Sequence, residues 1–185
     1  VTRALILGGS RSGKSAHAES LASGSGKDVV YIATARAGDS EMAARIGHHR
    51  QQRPAAWVTI EEPIALGDAL QRWRAPQRIV IVDCLTLWLS NLLFSAKAAF
   101  PDIGMIELPT LLQEQRANFL EALAQPGGDV VLVSNEVGMG IVPQGAVSRC
   151  FADESGRLNQ AVASICERVV LVAAGLPLVL KANAC

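Results

Sequence analysis

Two stretches of this chain carry residue types whose spacing could do chemistry. The first is "LILGGSRSGKS", residues 5–15, in which Gly8, Gly13, Lys14 and Ser15 satisfy G-x-x-x-x-G-K-[ST]. A glycine-rich backbone of this kind wraps closely enough to point successive N–H groups at phosphate oxygens. The helix that should follow adds its positive N-terminal end, the lysine reaches the β and γ phosphates, and the Ser15 hydroxyl can ligate magnesium. The second stretch is "EMAARIGHHRQQRP", residues 41–54, which holds His48 and His49 side by side among Arg45, Arg50 and Arg53. An imidazole beside a triphosphate can attack phosphorus and form a phosphoramidate, splitting one transfer into two steps, and arginines can stabilise the charge that develops. The plain alternative is that a helix C-terminus favours cationic and polar residues for dipole reasons alone.

The phosphate motif requires a strand before it and a helix after it, and the surrounding pattern supplies both. Continuous apolar runs of strand length occur at 3–7, 29–33, 78–83, 129–134 and 168–173, with a weaker candidate at 57–61. Continuous runs suit parallel strands covered on both faces by helices. The run 176–181 follows Gly175 so closely that it should pair as an antiparallel hairpin edge. Helical patterns fill 13–23, 39–50, 62–74, 85–96, 108–124 and 144–166. Asp39 or Ser40 can cap the second of these, and Glu41 with Arg45 forms an i,i+4 ion pair. Residues 97–109, broken by Pro101, Gly104 and Pro109, read as a loop. With no repeat or linker, residues 1–185 are expected to form one α/β domain. The expectation is a P-loop NTPase (RecA-like) domain with a mostly parallel sheet flanked by helices and a C-terminal antiparallel edge hairpin.

In such sheets ligands lie beyond the carboxyl ends of the strands. Asp83 stands there after four apolar residues and reads as the acidic strand end that holds magnesium through water, or else as the cap of the next helix. "ATA" (33–35), Glu61 and Glu62 follow other strands, as does "SNEVGMGIVP" (134–143). In the last, Asn135 and Glu136 emerge from an apolar strand, and Gly138 and Gly140 permit irregular backbone near a ligand. Helix capping by Asn135 is the simpler reading of that residue. His17, early in the phosphate-loop helix, reads as helix surface or packing.

Composition narrows the classes. Of 185 residues, 50% are hydrophobic and 18% charged, which describes a well-packed globular protein. Seventeen basic residues balance seventeen acidic ones, and only 4% are aromatic, so nucleic acid is not an expected partner. The four cysteines show no CxxC spacing, no run approaches a membrane span, and a cytoplasmic protein with reduced thiols is expected. The run "LTLWLSNLLF" (85–94), with Trp88 in it and Trp73 nearby, exceeds what one amphipathic helix needs. Such a helix is either buried in its own domain or shared with a partner, and a homo-oligomer is expected on that ground.

Taken together, "GGSRSGKS", "YIATA", "DSEMAARIGHHRQQRP", "DCLTLWLSNLL" and "VSNEVGMGIVP" resemble the bifunctional adenosylcobinamide kinase/adenosylcobinamide-phosphate guanylyltransferase of cobalamin biosynthesis. The resemblance runs in order from the phosphate loop to "GRLNQAVA" (156–163). It implies two reactions: ATP or GTP phosphorylates adenosylcobinamide, and GMP then passes from GTP through a histidine to adenosylcobinamide phosphate, giving adenosylcobinamide-GDP. By the same resemblance His48 is the nucleophile and Lys14 a catalytic residue. The nucleotide contacts are Gly8, Gly9, Ser10, Arg11, Ser12, Gly13, Lys14 and Ser15, then Ala33, Thr34 and Ala35, then His49, Arg50, Gln51 and Gln52, and finally Glu61 and Asp83. Ser15 and Asp83 are the implied Mg2+ residues, and a homo-oligomer is again suggested. "ATA" stands where some members carry "ATS", which leaves the contact there to the backbone. Rival readings are a P-loop kinase of another small molecule without a histidine intermediate, a RecA-like motor on nucleic acid, and a regulatory nucleotide-binding module.

Overall fold

The structure is a computed structural model that describes residues 3–36, 53–95 and 100–182. Elements are numbered along those residues. β1 (Arg3–Gly8) leads into α1 (Lys14–Ser23), followed by β2 (Asp28–Ala33), β3 (Val58–Glu61) and α2 (Leu66–Trp73). Then come β4 (Arg78–Asp83), α3 (Leu85–Leu93), α4 (Thr110–Ala124), β5 (Asp129–Asn135), α5 (Ala146–Ile165), β6 (Arg168–Ala173) and β7 (Leu176–Lys181). The seven strands form one sheet in the order β3-β2-β4-β5-β1-β6-β7. Every pairing is parallel except the β6–β7 hairpin.

The continuous apolar runs are explained by cover on both faces. Leu5, Val30, Ile32, Val80, Val82, Val130 and Leu132 pack in one cluster with residues of α2, α3, α4 and α5. The alternate residues Ala4, Ile6, Tyr31, Ile79, Ile81, Val131 and Val133 pack on the other face with Ala18 and Ala22 of α1. Period-two alternation therefore sends every second side chain into a different core. β3 is the sheet edge, with its ends exposed, which is why its run reads weakly.

Two expectations are adjusted. The helix expected from 62 begins at Leu66, because Pro63 lies in the approach and the Glu62 carboxylate accepts from the Ile64 and Ala65 N–H groups at 2.9 and 2.7 Å. The apolar excess of 85–94 is satisfied inside the chain. Leu85, Trp88, Leu89, Leu92 and Leu93 are all buried, Trp88 lies against Phe119 of α4 at 5.0 Å between ring centroids, and only Phe94 beyond the helix end is exposed. That helix consequently gives no argument for a partner subunit.

Candidate active site

The phosphate loop is shaped by three close approaches. Between β1 and α1 the backbone turns through Arg11 at φ 55° and Gly13 at φ 95°. A Cβ on Gly8 would lie 2.4 Å from Ser12 Oγ and 2.5 Å from the Val172 carbonyl oxygen, so the loop closes over its own first residue. At Gly13 a Cβ would come within 3.2 Å of Gly175 Cα, in the β6–β7 turn. That turn braces the loop directly, since the Gly175 N–H donates to the Ser12 carbonyl at 2.8 Å. Lys14 is only 9% exposed, and its Nζ donates to the Gly9 carbonyl at 3.1 Å. The ammonium is thereby held against the loop, while Gly9, Ser10 and Arg11 remain open to solvent. Ser12 Oγ is buried and without a hydrogen-bond partner among the described residues.

The strand tips line up beside this loop. Gly8 is registered with Asn135, Ala33 with both Asp83 and Glu61, and Asp83 with Val133. One rim of the sheet therefore collects Gly8, Ala33, Glu61, Asp83 and Asn135, as expected for ligands at strand carboxyl ends. The rim is stiffened from behind. The Glu136 N–H donates to the Gly8 carbonyl at 3.1 Å, and the Asn135 N–H to Thr86 Oγ1 at 2.7 Å. Asn91 Nδ2 donates to the carbonyls of Thr34 at 2.7 Å and Pro63 at 3.1 Å, so α3 fixes the loops after both β2 and β3.

Thr34 is fully buried and its polar groups are engaged within the fold. Its N–H donates to the Asp83 carbonyl at 3.1 Å. Its hydroxyl donates to the Cys84 carbonyl at 2.7 Å and accepts from the Cys84 N–H at 2.8 Å. Asp83 is gripped from the other side, where the Tyr31 hydroxyl donates to Oδ2 at 2.7 Å. Burial, reinforced by the Asp83 carboxylate, pushes the Tyr31 phenol far above its usual value, so it stays a donor. The Arg53 guanidinium carbon lies 3.6 Å from the centre of the Tyr31 ring, which brings the end of the arginine-rich segment to the same strand. Burial, again with Asp83, pushes the Cys84 thiol up to about 11, so it is no nucleophile. His17 is held below the ordinary imidazole value by burial and then by the Arg168 charge, in keeping with a packing role.

Of the residues singled out in the sequence, the structure brings Gly8–Ser15, Ala33, Thr34, Ala35, Glu61, Asp83, Asn135 and Glu136 to one rim. Asn135 ends β5 and caps no helix, since α5 starts only at Ala146. His48, His49, Arg45, Arg50, Gln51 and Gln52, with the caps Asp39 and Ser40, lie outside the described residues. Tyr31 and Asn91 brace this rim, and the sequence did not single them out. Asp83 stands 52 residues from Tyr31, and Thr34 and Pro63 stand 57 and 28 residues from Asn91, so only the fold makes them neighbours. For a metal, the described residues offer the Ser15 hydroxyl and the Asp83 carboxylate, and no cluster of three or more His, Cys, Asp or Glu occurs among them. One hydroxyl and one carboxylate beside phosphate oxygens suits magnesium, which keeps several waters and relies on the nucleotide for further ligands.

The sequence model of the family described as "Cobinamide kinase / cobinamide phosphate guanyltransferase" matches residues 4–180. The chain belongs to this family, CobU. A Pseudomonas aeruginosa relative named bifunctional adenosylcobalamin biosynthesis protein CobP is 51% identical over 97% of this chain and 97% of its own length. Relatives named CobU from Escherichia coli K12 and Salmonella typhimurium LT2 are 41% and 39% identical, each over 96% of this chain and 98% of their own length. CobU relatives are thus matched across the phosphate loop, the strand tips and the closing hairpin. Among solved structures, a type III secretion system ATPase of pathogenic bacteria and the enteropathogenic E. coli ATPase EscN share the fold, with TM-scores of 0.55 and 0.54 at 14% identity. This chain spans only 56% and 43% of those two chains. The match is therefore one of fold, that of a P-loop ATPase domain.

Proposed function

We propose that this protein phosphorylates adenosylcobinamide and then transfers GMP to the product, using one phosphate loop for both reactions. The observation that carries the reading is the loop itself, with Lys14 held against it at the Gly9 carbonyl and the Asp83 strand tip on the same rim, in a chain matched to the CobU family over residues 4–180. In the kinase step, the acceptor hydroxyl attacks the γ-phosphorus of ATP or GTP, a nucleoside diphosphate leaves, and the hydroxyl proton is released. In the second step His48 attacks the α-phosphorus of GTP and pyrophosphate leaves, giving a histidine-GMP phosphoramidate. A phosphate oxygen of adenosylcobinamide phosphate then displaces His48 and forms adenosylcobinamide-GDP.

Backbone N–H groups of Gly8–Ser15 hold the phosphates, and Lys14 neutralises the charge that builds between them. Ser15 and Asp83 would hold Mg2+, which would supply charge neutralisation on the phosphates. The Tyr31 hydroxyl keeps the Asp83 carboxylate oriented. Ala33, Thr34 and Ala35 offer the nucleotide a backbone and apolar wall, since the Thr34 hydroxyl is already engaged. Glu61, His49, Arg50, Gln51 and Gln52 complete the nucleotide site. A cytoplasmic location suits an enzyme that consumes nucleoside triphosphates, which are abundant there. A homo-oligomer is supported by β7, an outer strand whose Leu176, Leu178, Val179 and Leu180 are all exposed.

The test is to supply adenosylcobinamide with ATP or GTP and follow both products by mass spectrometry, in wild type and in Lys14→Ala. The wild type should make the phosphate and then the GDP adduct. Lys14→Ala should lose about 10²-fold or more in both steps, the size of a lost transition-state charge in a water-poor site. Full guanylyl transfer by the variant would overturn the shared loop.

A further inference from the structure

α5 is longer than the sheet it covers. It runs 20 residues, about 30 Å, whereas β5 has seven residues. Asn159, in its second half, is level with the tip of β5, where its Nδ2 donates to the Asn135 carbonyl at 3.4 Å. The turns before Asn159 therefore stand beyond the carboxyl edge of the sheet, on the side where ligands bind. There they wall a cavity of about 390 Å³ together with the end of α3 and the loop 137–143. Phe94, Val137, Pro143, Val147 and Phe151 line it, with Ser90, and no charged side chain takes part. The same loop carries Met139, Ile141 and Val142 at 77%, 98% and 72% exposed, an apolar rim around an apolar cleft. Val137 lies two residues after Asn135, which is registered with Gly8 of the phosphate loop.

We propose that this cleft is the acceptor subsite, taking the methyl-bearing edge of the corrin macrocycle and leaving the acceptor hydroxyl over the phosphate loop. The inference rests on the corrinoid reading above. A cavity of this size holds an edge of so large a ligand and not the whole of it. An uncharged cleft beside a strongly polar nucleotide site separates the two ligands by chemistry: phosphates go to the loop, apolar surface to α5. The position decides the occupant, because an acceptor of a γ-phosphoryl group has to reach the phosphate-loop rim, and the cleft opens beside it.

The test uses Ser148→Trp, which fills the cleft from an exposed position of α5, and Val137→Asp, which places a charge in its wall. In wild type, cobinamide binding is measured directly by its absorbance change, and phosphorylation separately. Both variants should raise the cobinamide Kd and KM by about tenfold or more, the loss expected from disrupting apolar contacts of a few methyl groups. GTP affinity and thermal stability should stay within about twofold and about 2 °C of wild type, since neither side chain supports the loop or the core. Unchanged cobinamide Kd in both variants overturns the subsite. So does a change confined to sedimentation, with Kd intact, because the rim would then be a contact between copies of the chain. Failure of wild type to phosphorylate cobinamide would overturn the corrinoid reading itself, and with it the occupant proposed here.

Discussion

Replacing Thr34 by valine isolates the tie that holds the β2 and β4 tips together. The side chain is fully buried, and its hydroxyl is donor to one backbone group of Cys84 and acceptor from the other, at 2.7 and 2.8 Å. Valine keeps the branched shape but offers neither bond, so a buried N–H and a buried C=O are both left without that partner. Each such loss costs about 1–3 kcal/mol, giving about 3 kcal/mol or more for the pair. A methyl group also cannot sit 2.7 Å from a carbonyl oxygen, so the side chain must shift, which adds to the cost. For a chain of this length, about 3 kcal/mol corresponds to a Tm lower by about 6–12 °C. Thr34→Ser keeps the hydroxyl and loses one buried methyl, about 1 kcal/mol. Urea unfolding and thermal melts of the two variants without nucleotide make the comparison. A Thr34→Val protein within about 0.5 kcal/mol of wild type, or a serine variant as damaged as the valine one, would refute the argument.

Other expectations follow from the same kind of reasoning. Glu154 is buried on α5 and paired with Arg116 of α4 at 2.5 Å and with Arg157 of its own helix. Arg116→Met should destabilise by about 3 kcal/mol, the scale of breaking a buried pair, and Arg157→Met much less, since that side chain is 67% exposed; urea midpoints would show the order. His17 binds its proton less readily in the folded chain than in the unfolded one. Its contribution is thus lost as pH falls below about 6.5, and His17→Gln should flatten that part of the stability–pH curve measured in urea. Gly8→Ala should abolish nucleotide binding, because the new Cβ meets the Val172 carbonyl, which cannot rotate away; a titration with a fluorescent GTP analogue reads this out.

The sheet was legible because its core strands are covered on both faces, so each reads as an unbroken apolar run. The hairpin was legible from the shortness of the link at Gly175. Boundaries failed where side chains act on the backbone locally, as Glu62 does ahead of α2. The phosphate loop was legible because its chemistry is local: eight consecutive residues hold all the parts. The Tyr31–Asp83 and Thr34–Cys84 ties were not, because they join strands that are neighbours only in the folded sheet. Nothing in "YIATA" distinguishes a tyrosine that orients a carboxylate from one that merely fills a core. The run 85–94 misled in the opposite way. Its apolar excess is consumed by α2, α4 and α5 in the same chain, and the exposed apolar surfaces lie instead on β7 and on the loop 137–143.

The histidine intermediate is the centre of the functional account, and GTP labelled at the α phosphorus tests it most directly. The protein is incubated with the label and Mg2+, denatured, and separated on a gel, in wild type, His48→Asn and His49→Asn. A phosphoramidate is protonated on nitrogen in acid, so the wild-type adduct should hydrolyse in acid and survive alkali. His48→Asn should lose the adduct and the GDP product while still phosphorylating adenosylcobinamide, and His49→Asn should keep the adduct. Labelling that persists in His48→Asn and disappears in His49→Asn would show that the other imidazole is the nucleophile, and labelling that persists in both would contradict a histidine intermediate at this pair.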